Sequence, residues 1–122
     1  MLILGLCVGG ALGAPSRYLV EVWVHRRTRV AYPWGTWVVN VSGAFVLGAL
    51  TGLTLYHHLP PTALTALGTG FCGAYTTFST FTFETVRLVQ RGEVGPAAVN
   101  VVLSVAAAIG AAALGLALVG LG

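Results

Sequence analysis

The sequence predicts an all-α membrane protein, four transmembrane helices with a break in the third, and three observations predict it. Of its 122 residues, 57% are hydrophobic and 7% charged, which leaves too few polar side chains to clothe a soluble surface. The apolar residues gather into spans at about 2–24, 34–56, 62–89 and 97–121, each long enough to cross the hydrocarbon core at roughly 20 residues per crossing. Within the third, GFCGAYTTFSTFTFE, from Gly70 to Glu84, sets serine and threonine hydroxyls and a carboxylate at membrane depth. Helices are the expected form because a backbone in lipid must satisfy its own hydrogen bonds.

The first span has no basic segment before it and contains Arg17, so it reads as a retained helix, not a cleaved signal. Gly5, Gly9 and Gly13 recur every fourth residue along it, a spacing that lets a neighbouring backbone approach closely. Gly48 and Gly52 repeat the pattern in the second span, and Ala106 with Gly110 in the fourth. The third span holds Gly68, Gly70 and Gly73 ahead of Thr76, Thr77, Ser79, Thr80 and Thr82, a run of weak helix formers that predicts a break. The connections HRRTRVAYP, HHLPP and QRGEVGP hold most of the charge, the prolines and the histidines of water-exposed turns. The whole chain, 1–122, therefore reads as one channel-sized membrane domain. His57 and His58 read as solvated turn residues, and Cys7 and Cys72, inside apolar spans and without metal-ligand spacing, as small packing residues.

An even number of spans puts both termini and the HHLPP turn on one side of the membrane. Arg26, Arg27, Arg29, Arg87 and Arg91 fall in or beside the other two turns, and the termini side has no lysine or arginine. The positive-inside rule then predicts external termini in a cell membrane.

Polar residues at membrane depth cost free energy unless paired, wet or useful. Asn40, with Ser42 close by, reads either as an interhelical hydrogen bond or as a donor on a polar pathway. A break in the third span exposes helix ends, whose amides favour anions and whose carbonyls favour cations. Phe78 and Phe81, three residues apart, share a helix face beyond the break. The positive edges of their rings, beside hydroxyl donors, suit a small hard anion.

Three stretches carry a resemblance that runs through all four spans: GGALGAPSRY (9–18), GTWVVNVSGAFVLG (35–48) and GFCGAYTTFSTFTFE (70–84). The chain resembles the CrcB/Fluc fluoride channels of microbial membranes. That resemblance implies protomers that pair antiparallel, with two pores passively releasing fluoride from the cytoplasm. It implies a pore lined by Asn40, Phe78 and Phe81 with Ser79 and Thr80 as a hydroxyl track. It also implies a structural sodium ion held by the backbone carbonyls of Gly73 and Thr76, oxygen ligands suited to a hard cation. Arg17 and Glu84 match the family's motifs as well. Arg17 reads as a vestibule or interface charge or as a snorkelling residue, and Glu84 reads equally as half of an ordinary helical ion pair with Arg87. Val101 stands where several members carry a pore-facing tyrosine.

Four spans leave no room for an inverted repeat within one chain, so a pore with in-plane two-fold symmetry must recruit a second, inverted protomer in the lipid. The arginine bias predicts one direction of insertion, hence an oppositely oriented homologue as partner, although an identical copy also satisfies the symmetry. Two other classes are open to a chain of this length. A proton-coupled exporter of cationic compounds needs a carboxylate deep in the first span, whereas Glu21 lies near its end. A non-transporting subunit accounts for the glycines but not for Asn40 or the hydroxyls. No nucleophile, base and orienting group come together as an enzyme requires, and nothing points to nucleic acid.

Overall fold

The computed structural model describes residues 1–28 and 32–122; Arg29, one of the arginines behind the predicted orientation, lies outside the described residues. Three helices, α1 (Leu2–Thr28), α2 (Trp34–His57) and α6 (Val94–Leu121), are each long and apolar enough to cross a membrane unbroken. The remaining crossing is built in pieces. It starts with α3 (Pro61–Leu64), widens into a π-helical stretch over Thr65–Cys72, and tightens again in α4 (Gly73–Tyr75). At Thr76 and Thr77 the backbone is extended, with ψ of 162° and 119°. The helix then restarts as α5 (Phe78–Gln90). The predicted break is therefore present, and the widened turns before it are an addition the composition did not announce.

Local chemistry sets the ends of these elements. α1 finishes on His25, Arg26 and Arg27, cations at the negative end of the helix dipole. α2 closes at His58 in the left-handed conformation, φ 58°, with the Leu59 amide returning to the Leu53 carbonyl at 3.1 Å, a Schellman-type closure. Pro61 then occupies the first turn of α3, where its missing N–H is not needed. Gly92, at φ 79°, makes the turn from α5 to α6, a conformation a side chain would resist. His57 is not simply solvated: its Nε2 donates to the Val119 carbonyl at 3.1 Å and ties the end of α2 to the end of α6.

The chain packs backbone to backbone through small residues and turns its large side chains outward. Among the described residues only Val24, Val39, Cys72, Leu88 and Ala97 make up the buried hydrophobic core, while large Leu, Val and Ile side chains are exposed on the outside. That distribution suits lipid, where helices associate by close packing because water supplies no drive. α1 lies along the π-helical stretch and α2 along α6. A Cβ placed on Gly9 would lie 2.7 Å from the Ala66 carbonyl oxygen. Gly48 and Gly115 are each pressed against a carbonyl of the facing helix, those of Ala112 and Phe45. Gly110 corrects the expectation for the last span: nothing approaches it, and the groove of α6 is made at Gly115 instead. Cys72 is a packing residue as expected, but Cys7 is exposed on the outer face of α1. We expect Gly48→Val to part α2 from α6 and to destabilise the fold by about 3 kcal/mol, seen as a lower thermal midpoint in detergent.

Candidate functional site

The break between α4 and α5 is made by Asn40 of α2. Its Oδ1 accepts the Thr77 amide at 2.7 Å and its Nδ2 donates to the Thr77 carbonyl at 2.9 Å. In an unbroken helix the Thr77 amide would serve the Gly73 carbonyl, four residues back; here it is diverted. One turn later the Thr80 amide, due to the Thr76 carbonyl, goes instead to the Thr77 hydroxyl at 3.2 Å. Thr77 is thus the N-cap of α5, and the carbonyls of Gly73 and Thr76 both lose their helical donors. Of the two readings of Asn40, the interhelical bond is the one its geometry makes, directed at backbone.

Two further contacts seat the break on α2. Ser42 donates to the Val38 carbonyl at 2.6 Å, so the Tyr75 hydroxyl, 2.9 Å away, is the donor to Ser42. Gly43 leaves the space that the Thr76 methyl fills. Gly43 and Tyr75 were not singled out in the sequence, although both lie inside the motifs quoted above.

Beyond the break, Thr77, Ser79 and Thr80 form one hydroxyl cluster. Thr77 donates to Thr80 at 3.1 Å and lies 3.3 Å from Ser79. A cavity of about 500 Å³ opens beside them, lined by Asn40, Gly73, Thr76, Thr77, Phe78 and Phe81 among others. Ser79 and Thr80 join it only through Thr77. The rings of Phe78 and Phe81 stand 6.0 Å apart at 42°, and Phe78 is 78% exposed. An aromatic ring so bare beside a largely apolar cavity leaves that side of the cavity open. Thr77→Val is expected to remove the cap and the hub of the cluster, lowering stability by about 1 kcal/mol; Thr77→Ser should restore it, as thermal midpoints in detergent would report.

Arg17 and Glu84 stand apart from this cavity. Arg17 is half-buried, and its Nη1 donates to the Thr76 carbonyl at 3.3 Å. Glu84 accepts the Thr36 hydroxyl at 3.0 Å. The helical ion pair with Arg87 is not what holds it, because the Arg87 guanidinium lies over the Phe83 ring, 5.7 Å from its centroid. Glu84 and Glu21 line a second cavity of about 350 Å³ near the arginine-rich turns.

In α6 the inward position is Asn100, 2% exposed, and not its neighbour Val101, which faces outward. Asn100 Nδ2 donates to Thr85 Oγ1 at 2.9 Å, and Ser104 donates to Asn100 Oδ1 at 3.3 Å. The signal for Asn100 was available, since a buried asparagine in an apolar helix needs partners. Among the described residues no group of three or more His, Cys, Asp or Glu side chains is placed to hold a metal.

The model of the family described as CrcB-like protein, Camphor Resistance (CrcB), matches residues 4–116. The chain belongs to the CrcB family. The match takes in α1, α2, the broken crossing and most of α6. Relatives in the family include proteins named fluoride-specific ion channel FluC. That of Acidobacterium capsulatum is 46% identical over 117 residues, 95% of this chain and 94% of the relative. The FluC 1 of Leifsonia xyli is 45% identical, covering 99% of this chain and 88% of the relative. The FluC 1 of Nocardia farcinica is 54% identical over 85% of this chain and 70% of the relative. Membrane-crossing helices and family membership together make this a multi-pass membrane protein.

Proposed function

We propose that the chain is one protomer of a fluoride channel that passively releases fluoride from the cytoplasm and so lowers its toxicity. The observation that carries the reading is the start of α5 at membrane depth: a hydroxyl-capped helix N-terminus, with Phe78 and Phe81 beside it, opening on a cavity. The first amides of a helix are a preformed anion site, and those of α5 point toward the cavity end of the helix. The names of the relatives support fluoride as that anion.

On this reading fluoride exchanges water stepwise for the Thr77, Ser79 and Thr80 hydroxyls, the remaining Asn40 amide hydrogen and the electropositive ring edges. Each contact is weak, so the ion moves on down its gradient. The bare Phe78 ring and the open wall of the cavity call for a second, inverted protomer, identical or homologous, giving two pores in an antiparallel dimer. The arginine-rich turns face the cytoplasm and the termini face out.

The break also fits a structural sodium ion. The Gly73 and Thr76 carbonyls, deprived of their helical donors by Asn40 and Thr77, would hold it; sodium would supply charge that joins two broken helices at a dimer centre. Thr76 side-chain changes would leave such ligation intact, because the oxygen is main-chain.

The test is fluoride efflux from liposomes containing the purified protein, read with a fluoride-selective electrode and with chloride as control. Fluoride efflux without chloride efflux is expected, from the protein alone or after co-reconstitution with an oppositely oriented homologue. Silence in both would overturn the assignment.

A further inference from the structure

The Thr76 carbonyl is claimed twice. Arg17 Nη1 donates to it at 3.3 Å, just beyond the usual range for such a bond, and the sodium ion proposed above would use the same oxygen. Two cations on one carbonyl repel each other at this depth, where the dielectric is low.

Arg17 has a second place to go. Glu21 follows it by four residues on α1, so the two side chains share a helix face, roughly 6 Å apart at their Cβ atoms. Glu21 Oε1 is buried and accepts no hydrogen bond among the described residues. A carboxylate oxygen in that state is costly unless a donor reaches it. The other charged or titratable groups of its cavity are Tyr18, His25 and Arg26 of α1, Tyr32 before α2, and Glu84 of α5. Thr36 engages one oxygen of Glu84, whereas the other, Oε2, is buried without a donor like Glu21 Oε1, and a second carboxylate there makes a cation beside Glu21 more favourable still.

We propose that Arg17 is a two-position cation: it holds the Thr76 carbonyl when sodium is absent and pairs with Glu21 when sodium takes that oxygen. Glu21 thereby sets the sodium affinity of the break, acting as a positioning residue that touches neither sodium nor fluoride. The inference rests on the sodium site of the proposed function.

Sodium titrations of the thermal unfolding midpoint of the purified full-length protein, with N-methylglucamine as the balancing cation, test it on wild type, Glu21→Gln, Arg17→Gln and the double variant. Glu21→Gln removes the alternative partner and should weaken sodium about fivefold, the scale of a partly exposed ion pair. Arg17→Gln removes the competitor and should tighten sodium by a similar factor. In that background Glu21→Gln should change nothing, a coupling that a merely structural role would not produce. If Arg17→Gln does not fold, Glu21→Gln alone decides, and an unchanged sodium affinity overturns the proposal. Equal sodium responses in all variants would leave the sodium site standing and remove the role of Arg17. Absence of any sodium response in every variant would remove the site and the proposal together.

Discussion

Asn40→Leu is expected to abolish fluoride flux and to lower stability by about 3 kcal/mol. Asn40 satisfies both backbone groups of Thr77, and leucine satisfies neither. The Thr77 amide, left unpaired, costs about 1–3 kcal/mol, with no water at this depth to make up the loss, whereas the carbonyl of the N-cap residue keeps its donor within α5. The cheapest repair is for the Thr77 amide to return to the Gly73 carbonyl, which straightens the helix and erases the amide end that faces the cavity. Asn40→Asp separates the two roles: the carboxylate still accepts the Thr77 amide, but it no longer donates to the carbonyl and it sets a negative charge on the anion path. We expect Asn40→Asp to unfold at a temperature between those of wild type and Asn40→Leu, and to be as silent as Asn40→Leu in liposome efflux. An Asn40→Leu protein with wild-type midpoint and flux would show that Asn40 does not make the break.

Phe81→Ile should have the opposite signature, a loss of flux of at least about tenfold with the fold nearly unchanged. Isoleucine replaces much of the apolar volume, at a cost of less than about 1.5 kcal/mol for such swaps, but it has no electropositive edge. Phe81 lines the same cavity as Asn40 and Thr77, with its ring centroid 6.0 Å from that of Phe78. Full fluoride efflux from Phe81→Ile, with dimers still present by size-exclusion chromatography, would remove the ring edge from the mechanism.

Much of the site is legible in the residues because lipid is an unforgiving solvent. A hydroxyl run after three glycines has few reasons to exist in an apolar span, and it marks the break correctly. The same logic marks Asn40, though not what it binds, since an amide that reaches across to backbone looks in sequence like one that reaches for an ion. The glycine pattern is right for α1 and for the second half of α2 and wrong at Gly110. Small residues show that close packing is possible, and only the crossing of α2 with α6 decides that Gly115 receives the carbonyl of Phe45. Of the two readings of Glu84, the helical pair with Arg87 is not formed, and helical spacing says nothing about Thr36, 48 residues away. Asn100 is not singled out because the rotation of a uniformly apolar helix leaves no trace in its periodicity.

The sequence by itself determined the class of the molecule, its four crossings, the third as the broken one, and the small set of polar side chains that have a reason to lie at membrane depth. Those follow from composition and spacing, because the cost of polarity in lipid is local to each residue. Tertiary structure alone decided who meets whom: Asn40 taking the Thr77 amide, Arg17 on the Thr76 carbonyl, Thr36 on Glu84. These pairings join residues tens of positions apart, and they depend on how helices rotate and cross, which in lipid is set by the fit of glycine grooves to carbonyl ridges and not by any pattern within a single span.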